Sequence, residues 1–481
     1  MRSKVVEALA KEGFLLDQEA EEYILAQSAP LDFARQAISR LPEQPFIVTM
    51  RDLRMVVTID GPRLEPGNAP RVEAPSVRRI GDVEVLRDIT SHSECLASVE
   101  GFARYFQDRY YTLRGLLLRR MDMGGAMNIQ RATDPAKQHG DGEVKVIGMV
   151  NEVRETRSGE KIIEIEDDTG KCIVMVPKDH KVNKDSVLLD EVIGVVGKLT
   201  RKDGKIILKE LIRPDVPHSS GMEESDSTAR VAFMSDVHVG SNTFLEERWR
   251  NMIEWLKDEA TGLDLRYIVI PGDCVDGVGV FPGQEEELII EDVIDQYRAL
   301  AEHLKEVPDD IRIVMQPGNH DMVRPAEPQP ALNGEVGKLF DSNVVQMGNP
   351  AYMRIEGRTI LSYHGKSFDD MVNGIKGLSY SQPLWAMKEM LKRRHMAPMY
   401  GGKTPFAPEK RDHLVIEEVP DIFVTGHVHG AGVDSYNGIR LINASTWQAQ
   451  TSFQKMHNFV PDPAKLVLVH LGTGKTSVAE F

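Results

Sequence analysis

The chain alternates between stretches of helical and of strand period, and the changes of period mark out its parts. Over residues 3–41 apolar positions recur at helical spacing: Val6 and Leu9, then Ala20, Tyr23 and Ile24, then Phe33, Ala37, Ile38 and Leu41. Asp17 and Asp32 stand where the N-caps of a second and third helix belong, since a short carboxylate accepts from the orphan amides of a first turn. Residues 1–59 therefore read as a small helical module, suited to docking. A Pro-rich stretch follows (Gly61-Pro62, Pro66-Gly67, Pro70) with no steady period, and residues 60–90 read as a linker. Helical spacing returns over 96–120, with Phe102, Tyr105, Phe106, Tyr110 and Tyr111 set among arginines. Such interleaving can stack on single-stranded bases. A stripe packed against the next domain is the commoner cause, and the preferred reading.

From residue 142 to 214 the period drops to two, predicting strands at 144–150, 161–166, 171–176, 192–197 and 205–208. Five short strands with a helix-length gap after the third suit a Greek-key barrel of the oligonucleotide-binding (OB) kind. Few aromatics stand on these strands, so a barrel that docks protein is at least as well supported as one that binds single strands. Residues 91–217 thus form a helix plus an OB-type barrel, and the polar stretch 218–227 marks a boundary. Over 228–481 short apolar runs each lead into polar motifs: 231–234 into Asp236, 267–270 into Asp273, 311–315 into Asn319, 359–363 into His364 and 422–424 into His427. Buried strands that deliver polar residues at their C-terminal ends are how sheets build sites. The fold class predicted is multidomain α+β.

Composition narrows this picture. A chain of 481 residues, 41% apolar and 27% charged, holds two to four soluble domains. No apolar run is long enough to span a bilayer, the N-terminus does not read as a signal peptide, and Cys95, Cys172 and Cys274 lack metal-type spacing. A reducing, cytoplasmic setting with no membrane contact is expected. The net charge of −16 argues against a protein that grips nucleic acid alone, because phosphate neutralisation supplies much of that affinity. It points to local basic patches, or to a partner that holds the DNA.

The polar motifs, in order, are Asp236-x-His238, Gly272-Asp273, Gly318-Asn319-His320-Asp321, His364-Gly365 and Gly426-His427-x-His429. Each is weak alone; five in order after apolar runs predict two metal ions that cleave phosphoesters. Two ions about 3.5–4 Å apart share a hydroxide and neutralise the phosphoryl oxygens. Residues two apart in extended chain project to one side, so Asp236 and His238 serve one ion, to which His429 returns. Asp273 is suited to bridge; Asn319, His364 and His427 complete the second ion. Mixed nitrogen and oxygen ligation favours manganese, iron or zinc over calcium, and magnesium is weaker still. His320 is the expected proton donor, with Asp321 holding its imidazole oriented and cationic.

These motifs resemble the calcineurin-like metallophosphoesterase superfamily, and within it the DNA nuclease branch. The protein-phosphatase branch has Arg shortly after Gly-Asp and Glu after Asn-His, where this chain has Asp276-Gly277 and Asp321. The runs 272–284, 317–330, 391–398, 420–429 and 446–451 look like those of the small subunits of archaeal family-D DNA polymerases, strongly from residue 227 onward and weakly before 82. The resemblance implies a two-sheet sandwich flanked by helices and a partner large subunit that carries polymerisation. It also implies a 3′–5′ exonuclease that proofreads single-stranded primer ends. The implied ligands are Asp236, His238, Asp273, Asn319, His364, His427 and His429, with His320 as the acid and two divalent ions, manganese before iron or zinc. Lys388, Lys392, Arg393, Arg394 and Lys403 are the densest basic cluster of the second half. It reads equally as a path for primer phosphates and as a solvated helix face or subunit contact. A non-catalytic scaffold subunit and a stand-alone phosphodiesterase are the competing readings.

Overall fold

The structure, a computed structural model, describes residues 81–134, 143–200, 204–332, 334–456 and 459–481, with scattered positions before residue 49. Among the latter, Leu9, Ala20, Ile24, Ala34, Ile38 and Val48 form a small buried cluster, and Leu15–Leu16 pairs in parallel with Ile47–Val48. The rest of the expected N-terminal module, and the linker up to residue 80, lie outside the described residues.

The end of the expected linker is corrected: Val83–Arg87 is a strand, antiparallel to Ala351–Ile355 at the edge of a six-stranded sheet. Its partners are remote in sequence. Arg87 reaches the Glu417 carboxylate at 2.8 Å and the Val415 carbonyl at 3.1 Å. The Val99–Leu118 helix starts at Ser98, whose hydroxyl accepts from the Gly101 amide at 3.0 Å. Its Leu113 and Leu117 pack with Ile147 and Val196 of the barrel. Its Tyr105 belongs to the core of the C-terminal half, and Phe102 and Phe106 lie against Tyr400. Four of the five aromatics therefore serve packing, while Tyr111 is exposed and its hydroxyl donates to Asp168 at 3.1 Å.

The strands Glu143–Glu155, Lys161–Asp167, Gly170–Val176, Val192–Leu199 and Ile206–Ile212 close into a barrel in the order first, second, third, fifth, fourth. The third and fifth pair in parallel (Val174↔Ile206), the one parallel ladder in an otherwise antiparallel ring, as an OB topology requires. Alternate residues such as Val146, Ile163, Ile165, Val174, Ile193 and Val195 fill its interior. The gap after the third strand holds only a short 3-10 turn, Lys181–Lys184.

Two six-stranded sheets stack, built of strands from Arg230 onward together with Val83–Arg87. One runs Val344–Gln346, Arg312–Met315, Leu265–Ile270, Arg230–Phe233, Lys465–His470, Thr476–Glu480; the other runs Gly432–Tyr436, Ile439–Asn443, Ile422–Thr425, Arg358–Ser362, Ala351–Ile355, Val83–Arg87. Val231, Phe233, Tyr267 and Val269 face the second sheet. Their neighbours Ala232, Ile268 and Ile270 face outward, onto Trp249 and Leu256 of the Glu246–Leu263 helix and Leu300 of the Val293–Lys305 helix. Strands covered on both faces read as continuous apolar runs, which is why their sequences lack alternation. The parallel strands of both sheets deliver their C-terminal ends to the same edge of the sandwich.

Candidate metal centre

Each candidate ligand follows a strand end. Asp236 and His238 come after Arg230–Phe233, Asp273 after Leu265–Ile270 and Asn319 after Arg312–Met315. His364 follows Arg358–Ser362, and His427 and His429 follow Ile422–Thr425. Five of the seven have left-handed backbone: Asp236, His238, Asp273, His427 and His429, with φ between 50° and 69°. Non-glycine residues adopt this region at a cost that surrounding structure must offset, and such positions concentrate at functional sites. Here the turn is held by main-chain bonds, Asp236 N to the Gly272 carbonyl (3.0 Å) and His238 N to the Asp273 carbonyl (3.2 Å). Gly318 is required for space: a Cβ there would lie 2.2 Å from Asp273 Oδ1.

Three groups of donors have ligand atoms within 4.8 Å of one another: Asp236–His238–His429 and Asp273–His364–His427, both made of candidate ligands, and His238–Asp276–His320 beside them. His364 Nε2 lies 3.2 Å from Asp273 Oδ2 and 3.1 Å from Asn319 Oδ1, while its Nδ1 faces the Pro271 carbonyl at 3.2 Å. With Nδ1 donating to that carbonyl, three lone pairs converge, which a cation would satisfy. His238 Nε2 lies 3.1 Å from His429 Nε2, and His429 Nε2 is 3.3 Å from Asp236 Oδ1. The electrostatics agree. Burial opposes charge on His364, yet Asp273 and Asp236 facing it push its pKa up to about 9. Burial likewise opposes charge on Asp273, but His364 and His320 hold it well below the usual carboxylate range. A field that favours a proton there also favours a metal. The donor set therefore fits two divalent ions, and nitrogen and carboxylate ligands together suit borderline metals.

Around the ligands stand residues that only the structure brings forward. Asp276 Oδ1 accepts from His238 Nδ1 and from Gln448 Nε2, both at 3.0 Å, and Oδ2 accepts from Gln284 Nε2 at 3.0 Å. Its main-chain carbonyl accepts from His320 Nδ1 at 2.7 Å. One residue thus fixes the tautomer of a ligand and of the candidate acid, leaving Nε2 of each for the cleft. Asp276 lies in the 272–284 run and Gln448 in the 446–451 run, so both were visible as motif but not as role. Asp369 Oδ1 lies 3.5 Å from His427 Nε2 and accepts from the Tyr380 hydroxyl at 2.9 Å. The cleft, about 300 Å³, is lined further by Phe281, Lys366, Lys403 and Phe459.

Asp321 does not orient His320. Its carboxylate accepts from the Gly318 amide (2.8 Å), the Cys274 amide (3.1 Å) and the Tyr297 hydroxyl (2.8 Å), so it ties two ligand loops together. Burial pushes the Asp321 pKa up to about 6 and lowers that of His320, which is therefore not held cationic by a carboxylate partner. Of the two readings of the basic cluster, phosphate path or helix face and contact, its contacts favour the second. Arg393 and Arg394 are 2% and 4% exposed. Arg393 pairs with Glu389 and with Glu191 of the barrel, and Arg394 donates to the Ile416 carbonyl at 2.6 Å. Lys392 pairs with Glu389 at 2.6 Å. Arg393 thus ties the helix to the barrel, Arg394 ties it to the 416–417 main chain, Lys392 stays paired on its own helix, and none of the three lines the cleft.

Comparison with known proteins agrees with this architecture. Residues 229–431 match the family model for calcineurin-like phosphoesterases. The chain is 41% identical to the DNA polymerase II small subunit of Archaeoglobus fulgidus, over 96% of this chain and 94% of that protein. It is 36% identical to the DNA polymerase II small subunit of Methanothermobacter thermautotrophicus, over 98% of this chain and 99% of that protein. It is 41% identical to the corresponding subunit of Thermoplasma acidophilum, over 85% and 83%. With a metallophosphoesterase sandwich behind an OB-type barrel and likeness along nearly its whole length, the chain belongs to the family of archaeal DNA polymerase II small subunits.

Proposed function

We propose that the cleft is a two-metal 3′–5′ exonuclease that trims single-stranded DNA and proofreads for a polymerase whose large subunit carries synthesis. The observation that carries this reading is the pair of donor groups, Asp236–His238–His429 and Asp273–His364–His427, facing one cleft beside His320. When bound, two divalent ions, manganese before iron or zinc, supply the hydroxide and neutralise charge on the phosphoryl oxygens. Asp273 would bridge the two ions and Asn319 would add a neutral oxygen to the second. His320 holds Nδ1–H on the Asp276 carbonyl and so presents Nε2 to the substrate; protonated, it gives that proton to the departing oxygen. Desolvation makes its imidazolium a stronger acid than one in water, which suits a donor to a poor leaving group.

The test is degradation of 5′-labelled single-stranded DNA by the two-subunit complex with manganese, beside His320→Ala. A ladder shortening from the 3′ end is expected, with kcat reduced about 10²- to 10⁴-fold in the variant, the range of a lost general acid. Equal rates would remove His320 from the chemistry, and no shortening by the unmodified complex would leave the subunit as a scaffold.

A further inference from the structure

The proposed hydrolysis gives the cleft a direction. In 3′–5′ removal an oxygen from water bonds to phosphorus and the bond to the 3′-oxygen of the retained strand breaks. That oxygen takes the proton, and the terminal nucleotide departs as its 5′-monophosphate. A donor at His320 puts the retained strand on its side of the cleft, beside Phe281, whose ring centroid is 6.5 Å from that of His320. The departing nucleotide must then lie across the donor groups, beyond His427 and His429.

The wall there is aromatic. The Phe459 ring is 6.3 Å from His429, and Tyr380 stands 6.3 Å from Phe459 at 81°. Both rings line the cleft and are only half-buried. Each is bonded to neighbouring residues, Tyr380 through its side chain and Phe459 through its main chain. The Tyr380 hydroxyl is committed to Asp369, the Phe459 amide donates to the Gln454 carbonyl at 2.9 Å, and its carbonyl accepts from Gln450 Nε2 at 2.6 Å. An aromatic face reads a base by its π-surface and not by its hydrogen-bonding edge, so it does not discriminate among bases. We propose that Phe459, backed by Tyr380, is the stacking platform for the 3′-terminal nucleobase, which the cleft accepts whatever its identity once it has left a duplex. This rests on the exonuclease reading and adds its substrate contact.

The test uses the two-subunit complex, manganese and two 5′-labelled single strands of one sequence, the second lacking only its 3′-terminal base. The unmodified complex should remove the complete terminal nucleotide about tenfold faster than the abasic one, within the range of a base–aromatic stack. In Phe459→Ala, and in Phe459→Leu, which keeps apolar bulk without the ring, that ratio should fall to about one. Equal rates on both ends by the unmodified complex, or a ratio preserved in Phe459→Leu, would overturn the platform alone. Removal of neither end by the unmodified complex would overturn the exonuclease reading and this inference with it.

Discussion

Asp276 shows how much of a site can hang on one side chain that touches no substrate. An Asn in its place has one accepting oxygen where Asp276 uses two, so it loses either Gln284 or the site shared by Gln448 and His238; with its amide facing His238 the imidazole proton must move to Nε2. That would block the lone pair meant for the metal. Asp276→Asn should therefore weaken metal binding about 10- to 100-fold, as losses of outer-shell partners do, read as manganese retained per chain on dialysis; unchanged retention would refute the role. Glu327 gives a second residue-scale prediction. Its buried carboxylate accepts from the Tyr363 hydroxyl at 2.9 Å, and burial pushes its pKa up to about 7 from 4.5. The folded state then holds a proton that the unfolded chain has lost, so stability should fall as pH rises from about 4.5 to about 7 and level off above. Glu327→Gln should flatten that slope, by an amount on the order of 1–3 kcal/mol, in denaturant melts across the window. The candidate ligands could be singled out in sequence because each follows an apolar strand and carries distinctive chemistry. The roles of Asp276 and Asp321 were not, because both carboxylates sit beside ligands in sequence and only the folded loops decide which of them meets a histidine.

At the scale of elements, strands with strong internal patterns were readable, and those defined by distant partners were not. The barrel strands alternate, so their existence followed from period, and the OB class from their number and the gap after the third. Val83–Arg87 is short and follows a Pro-rich stretch, and becomes a strand through Ala351–Ile355 and Glu417. The Pro383–Arg393 helix carries a basic end whose charge pattern suggested DNA, yet Glu191 and Glu389, one of them some 200 residues away, neutralise it. The Val99–Leu118 helix is joined to the phosphoesterase half by a buried polar knot. Asp412 accepts from the Tyr105 hydroxyl (2.7 Å), Arg109 Nε (2.7 Å) and His395 Nε2 (2.8 Å), and Arg109 is fully buried. Removing the carboxylate would strand a buried guanidinium, so Asp412→Ala should cost about 3–5 kcal/mol in chemical denaturation. A loss below about 1 kcal/mol would mean that water or another group satisfies Arg109.

Over the whole molecule, the −16 net charge and the cleft pull in opposite directions. Lys366 and Lys403 are the cations that line the cleft, and Lys366 already faces Asp369 at 2.8 Å. Arg393, which could have widened a basic path, is buried between helix and barrel, and Arg394 is buried against the Ile416 and Glu417 carbonyls. Among the described residues, the cleft can therefore neutralise few phosphates, and each neutralised phosphate is what makes binding steeply salt-dependent. Single-stranded DNA should bind the isolated subunit weakly, with less than about tenfold loss between about 50 and about 200 mM salt, where a protein making six to ten phosphate contacts loses about 10³–10⁵. The two-subunit complex should bind more tightly and with the steeper slope, measured by anisotropy on one labelled oligonucleotide. A steep slope for the isolated subunit would place a phosphate track on this chain, and the described surface offers no continuous one through the cleft. Delivery of the primer end would then be the partner's task, and capture of its last nucleotide the task of this subunit.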